Sequence, residues 1–157
     1  FMAKWSDQYP GQSGHIHTSL QDLEGKSLFS SKKDELSQTL NYFIGGLQTY
    51  MREFSVMIAP TVNSYKRLCP GAWAPINMTW GVENRTTAFR AIKGDSSSQR
   101  VENRLPGADS NPYLALAATL GAGFLGIKEK IKPTYGTIGG AYGLNLDRKY
   151  QVPANLG

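Results

Sequence analysis

The sequence predicts an α+β fold, and three observations carry that expectation. Two long stretches read as helices, one from apolar residues at helical spacing and one from an Asn-Pro start. Several short stretches alternate polar and apolar residues like strands. Strands and helices do not follow one another in regular βαβ order, which argues against a doubly wound parallel sheet.

In chain order, residues 1–4 read as a short strand entering a loop at 5–14 that is rich in Gly, Pro and Ser. Residues 15–20 read as a strand, with Gly25 supplying the turn after it. Residues 36–59 are the strongest helix, because Leu40, Phe43, Ile44, Leu47, Met51 and Phe54 recur on one face and Pro60 ends it. Residues 61–75 read as a long irregular stretch with a turn at Pro70-Gly71. Residues 79–81, 86–92 and 99–105 read as strands, and 94–98 as a polar loop. Asn111-Pro112 predicts a helix start: Asn accepts from the orphan N–H groups and Pro suits the first helical position. That helix runs to about residue 130, with Pro133 beyond it. Residues 134–143 read as an ordered, glycine-bearing loop.

A chain of 157 residues suffices for one domain with a sizeable core, and 40% apolar with 18% charged residues is ordinary for a soluble protein. The most apolar segment, 114–127, contains Gly121, Gly123 and Gly126 and is too short to span a bilayer. The first residues do not read as a signal peptide, so a cytoplasmic location is expected. A single cysteine, Cys69, excludes an intrachain disulfide and fits a reducing compartment. The net charge of +5 comes with scattered single arginines rather than dense basic runs. No aromatic-basic platform appears either, so nucleic acid is not an expected partner. Phe1 and the terminal segment 151–157 read as the ends of a piece of a longer protein.

Four constellations carry chemistry. In a strand, His15, His17 and Ser19 share one face and could hold a metal or a phosphate, or simply form a polar strand surface. Arg100, Glu102 and Arg104 alternate likewise, as a salt-bridged surface or as a metal-binding carboxylate between two guanidiniums. Arg90 sits among apolar strand residues beside Asn84-Arg85, where an arginine needs an anion or a structural partner. The polar segment 63–71 has a basic pair, Lys66-Arg67, in a loop context. Together these offer a His and a Glu for a metal and several arginines for anions, which suits phosphoryl transfer.

The order and spacing of these motifs resemble the catalytic domain of glutamine synthetases and their glutamate–amine ligase relatives. The resemblance runs through Phe1-Met-Ala-Lys4, Gly11-Gln-Ser-Gly-His15-Ile-His17-Thr-Ser19-Leu20, and Pro60-Thr-Val-Asn-Ser-Tyr-Lys-Arg67-Leu-Cys-Pro-Gly71. It continues through Ala74-Pro75, Trp80-Gly-Val-Glu-Asn84-Arg85, Arg100-Val-Glu102-Asn-Arg104-Leu-Pro106 and Asn111-Pro-Tyr-Leu114. It implies that residues 1–157 are a C-terminal portion of that domain, with an antiparallel sheet lining the active site and long helices packed outside. It implies His15 and Glu102 as metal ligands, and His17, Ser19, Arg85, Arg90 and Arg100 as ATP contacts. Arg85 and Arg90 match arginines on the transferred phosphoryl group, and Gly11, Arg67 and Arg104 match glutamate-binding positions. The implied reaction uses ATP with Mg2+ or Mn2+ to make a γ-glutamyl phosphate, which an amine then converts to a γ-glutamyl amide. The implied assembly is a homo-oligomeric ring with active sites between subunits.

Two departures bear on the substrate. Synthetases proper carry a glutamate in the flap where this chain has Trp73, and an indole cannot accept a proton from ammonium. Trp73 can instead pack against a larger amine, as in relatives resembling γ-glutamyl ligases of polyamines, alkylamines or aryl amines. Pro10 stands where the synthetases carry an asparagine before Gly11. The resemblance also implies that the small N-terminal β-grasp domain and the first part of the catalytic domain lie outside these residues, so this segment alone is expected to be inactive. A substituted amine is the expected acceptor. Glutamine synthetase proper using ammonia is the alternative, as is a non-catalytic structural relative.

Overall fold

The structure, a computed structural model, describes residues 1–31 and 35–156. Gly157 of the terminal segment lies outside the described residues. The elements in order are β1 (Ile16–Thr18), α1 (Gln38–Tyr50), α2 (Ser55–Ile58), α3 (Val62–Arg67), β2 (Trp80–Val82), β3 (Phe89–Ile92), β4 (Arg100–Asn103) and α4 (Pro112–Glu129). A 3₁₀ turn, Arg148–Tyr150, follows. The α+β expectation holds.

The strands form one sheet in the order β1-β4-β3-β2. It is mixed, which corrects the expected antiparallel sheet: β4 pairs antiparallel with β1 and β3, but β2 runs parallel to β3. Parallel neighbours normally need a long crossover. Here β2 is only three residues long. It therefore spans about 10 Å, and the loop 83–88 is long enough to return the chain to its start. Thr87 Oγ1 donates to Asn84 O at 2.9 Å and closes that loop. The strand expected over 86–92 is correspondingly shorter.

The helix expected over 36–59 is interrupted by turns at 51–54. Its inner face is unbroken all the same, since Leu40, Phe43, Ile44, Leu47, Met51 and Ile58 are all buried. Ser37 caps α1, its Oγ accepting from Leu40 N–H at 3.0 Å. Residues 62–67 form α3 rather than irregular chain, started by a capping box between Thr61 and Ser64. Residues 1–4 are not a strand; the Lys4 main chain is tied to the Asn63 amide instead. α4 starts as expected, with Asn111 Oδ1 accepting from Tyr113 and Leu114 N–H. It ends at Lys130 in the left-handed conformation.

α1 and α4 pack almost backbone to backbone. A Cβ on Gly126 would stand 2.2 Å from Tyr42 O and 2.5 Å from Gly46 N. The Phe43 ring fills the space a side chain on Gly123 would need. Phe89, Ala91 and Val101 from the sheet complete this core. Strand alternation then sends Arg90, Arg100 and Glu102 to the other face, away from the helices. That open face carries the site.

Candidate active site

Register builds the centre of the site. His17 pairs with Glu102, Glu102 with Arg90, and Arg90 with Gly81, so the four form one row across the sheet. Glu102 is the hub. Its Oε1 lies 2.9 Å from His15 Nδ1 and 3.8 Å from His17 Nε2. Arg104 Nη1 approaches the same oxygen at 3.4 Å, and Arg90 Nη1 approaches Oε2 at 3.4 Å. Burial works against a charge on Glu102. The His15 hydrogen bond and the charges of Arg104, His15 and His17 outweigh it and hold the carboxyl down at about 2. The carboxylate is therefore ionised throughout the physiological range.

The histidines are oriented by their partners. The ionised Glu102 accepts from His15 Nδ1–H, which leaves the Nε2 lone pair of a neutral ring free. Arg100 Nε–H donates to His17 Nδ1 at 3.1 Å, so a neutral His17 carries its proton on Nε2. Burial lowers the His17 pKa; Glu102 opposes, and Arg100, His15 and Arg90 add to the lowering. The strand expected over 15–20 is shorter: of His15, His17 and Ser19, only His17 lies within β1, while His15 precedes it and the exposed Ser19 follows it.

The expected phosphoryl arginines also come together. Arg85, on the loop after β2, and Arg90 line one open groove of about 800 Å³. The segment 136–139 lines the same groove. Side chains pin that segment and the residues leading into it: Asn84 Nδ2 donates to Thr137 O at 3.1 Å and Gly139 O at 2.8 Å, and Trp80 Nε1 donates to Thr134 O, ahead of it, at 2.8 Å. The ordered loop expected there is thus held by specific bonds.

Arg104 and Arg67 differ sharply. Arg104 is buried, its Nε has no partner among the described residues, and its other contacts are long, including 3.5 Å to Trp73 O. A buried guanidinium with unused donors suits an anionic ligand. Arg67 lies behind it and donates to Leu105 O at 2.8 Å and Arg104 O at 2.9 Å. Burial lowers the Arg67 pKa to about 10, the Arg104 charge adds to this, and Asp109 opposes. The structure therefore makes Arg67 a support for the Arg104 main chain. Gly11 presses against it: a Cβ there would stand 2.9 Å from Arg67 Cγ and 2.3 Å from Ala3 O. Trp73 has φ 57° and an exposed indole, with its carbonyl turned toward Arg104.

Sequence reasoning missed Glu83, which bonds Arg90 through both Nε and Nη2. The only signal was indirect: Arg90, among apolar strand residues, needed an anion or a structural partner, and nothing in the sequence singled out Glu83 as that partner.

A family profile described as "Glutamine synthetase, catalytic domain" matches residues 1–157. The chain is 43% identical to the glutamate–isopropylamine ligase of Pseudomonas sp over 158 aligned residues, covering 99% of this chain and 34% of that protein. It is 43% identical to the gamma-glutamylethanolamide synthetase of Streptomyces coelicolor over 142 residues, 90% of this chain and 30% of that protein. It is 42% identical to the glutamine synthetase of Thermococcus kodakarensis over 133 residues, 85% of this chain and 30% of that protein. The chain thus spans about a third of the length of these relatives. Its sequence, its α+β fold and the motif-bearing sheet face agree: the chain belongs to the glutamine synthetase family, in its catalytic domain.

Proposed function

We propose that the full-length protein is an ATP-dependent ligase that joins glutamate to a substituted amine through a γ-glutamyl phosphate. The observation that carries this reading is the ionised Glu102 surrounded by two histidines and flanked by Arg90 and Arg104. A γ-carboxylate oxygen of glutamate attacks the γ-phosphorus of ATP, and ADP leaves. The amine nitrogen then attacks the acyl carbon, phosphate leaves, and the nitrogen loses a proton. Arg85 and Arg90 neutralise charge on the transferred group in both steps. Arg104 meets a glutamate carboxylate, with Gly11 and Arg67 forming the wall behind it. His17, Ser19 and Arg100 serve the nucleotide.

Mg2+ or Mn2+ fits the donor set in part. Glu102 supplies a carboxylate and His15 a free Nε2 beside it. Among the described residues no group of three His, Cys, Asp or Glu is arranged to hold an ion, so further ligands come from elsewhere in the full-length protein. Bound there, the ion would offset phosphate charge. Residues 1–157 are then a C-terminal portion of the catalytic domain. The full protein is a cytoplasmic homo-oligomeric ring whose subunits complete each other's sites, a state that mass measurement in solution would detect.

The amine preference rests on Trp73. Its exposed indole, held by a left-handed backbone beside Arg104, offers an apolar wall where the synthetases proper carry a carboxylate. The names of the isopropylamine and ethanolamide relatives support the same preference. The test is phosphate release from ATP by the full-length protein with glutamate and Mg2+, across an amine panel that includes ammonia. Release favoured by a substituted amine, shifting about tenfold toward ammonia in Trp73→Glu, is the expected result. Release driven best by ammonia in the unaltered protein makes it a glutamine synthetase proper. No glutamate-dependent release with any amine rejects the ligase reading.

A further inference from the structure

Glu83 is the first residue after β2, and its φ of 50° is rare for a residue with a side chain. The conformation is fixed by pairing, since Glu83 N–H donates to Ala91 O at 2.9 Å. Its carboxylate is fixed as well. Oε1 accepts the Lys93 main-chain N–H at 3.1 Å, which ties the carboxylate to the strand end that follows Arg90. Oε2 accepts from Arg90 Nε at 3.1 Å and also from Arg90 Nη2. Backbone strain of this kind persists only where surrounding bonds over-determine it, and it concentrates at functional sites.

A guanidinium has five N–H donors in one plane. Glu83 takes one edge of that plane, Nε and Nη2. The opposite nitrogen, Nη1, faces Glu102 Oε2 at the longer distance of 3.4 Å. Arg90 therefore stands between two carboxylates, and the closer grip is the one outside the Glu102 cluster. Without Glu83, the carboxylate left beside the arginine would be Glu102, whose Oε2 already stands 3.4 Å from Nη1. We propose that Glu83 is a positioning residue: it grips Arg90 edge-on and keeps its remaining donors turned to the phosphoryl group in transfer. This rests on the ligase reading above.

The test uses the full-length protein in four forms: unaltered, Glu83→Ala, Arg90→Ala and the double variant, with Glu83→Gln as the conservative control. Displacing a catalytic group by about an ångström costs on the order of 100-fold in rate. Glu83→Ala should lower kcat by roughly 10–100-fold, leaving KM for ATP within about threefold. Glu83→Gln keeps an acceptor oxygen of the same reach and should recover much of the loss. The double variant should turn over no more slowly than Arg90→Ala alone, because Glu83 acts only through Arg90. Unchanged kcat in Glu83→Ala overturns the proposal, and so does a loss that multiplies with that of Arg90→Ala. If Glu83→Ala does not fold, the cycle is run with Glu83→Asn, which tolerates the left-handed backbone but is too short to keep the grip on Arg90. A second readout needs no activity: the rate at which phenylglyoxal modifies Arg90, followed by peptide mass. It should change several-fold in Glu83→Ala, and an equal rate overturns the proposal even if the unaltered protein shows no ligase activity and the ligase reading has failed.

Discussion

The two faces of the sheet obey different physics. On the inner face, α1 and α4 meet at glycines, and Gly46, Gly123 and Gly126 leave room for little but backbone or the Phe43 ring. The contacts at these glycines are decided by size. On the outer face, His15, His17, Arg90 and Arg104 converge on one ionised carboxylate, and their contacts are decided by charge and donor direction. The two sets alternate along the same strands: Phe89 and Ala91 face in while Arg90 faces out. A substitution on one face should therefore leave the other nearly untouched.

The largest expected effect tests the outer face. Arg85→Ala or Arg90→Ala in the full-length protein should cut glutamate-dependent turnover by about 100- to 10,000-fold. The thermal midpoint should move little, because Arg85 is exposed and Arg90 buries no apolar surface in the helix layer. Near-normal turnover in either variant would remove that residue from the phosphoryl site. A large fall in the midpoint would mean that the faces are coupled after all.

The inner face is tested by Gly126→Val. Its side chain would meet Tyr42 O and Gly46 N, which are main-chain atoms and cannot rotate away. Overpacking of this kind costs about 3 kcal/mol. The unfolding midpoint in urea should fall, while KM values of the remaining folded protein stay close to those of the unaltered enzyme. An unchanged midpoint would mean that α1 and α4 can separate at no cost.

The inner face was the more legible of the two. The apolar spacing of α1 and the Asn111-Pro112 start of α4 are local signals, and both helices lie where those signals put them. α3 was missed because its start is a Thr-Ser pair rather than the usual Thr-Glu, and its six residues have no apolar stripe. The outer face was legible only one strand at a time. Period-two spacing put Arg100 and Glu102 on one face, and separately His15 and His17. That His17, Glu102 and Arg90 stand in one row depends on register between strands far apart in sequence. Glu83 was illegible for a further reason: its role comes from a left-handed backbone and a short parallel strand, neither of which its neighbours announce.

The smallest expected effect is the sharpest test of the size argument, because it reverses the sign within one helix. Gly121 lies in the same helix as Gly126, but a Cβ there would meet nothing within 4 Å. No contact constrains that position, and glycine in a helix interior carries excess unfolded-state entropy. Gly121→Ala should therefore stabilise the full-length protein by about 0.5–1 kcal/mol, seen as a rise in the urea midpoint. If the glycines of α4 act only through helix propensity, Gly121→Ala and Gly126→Ala should both stabilise. If contact decides, the two shift the midpoint in opposite directions, since even the single carbon of alanine at Gly126 would stand 2.2 Å from Tyr42 O. A rise for both would show that the helices part easily, and the tight crossing would then not be what seats the sheet beneath the site.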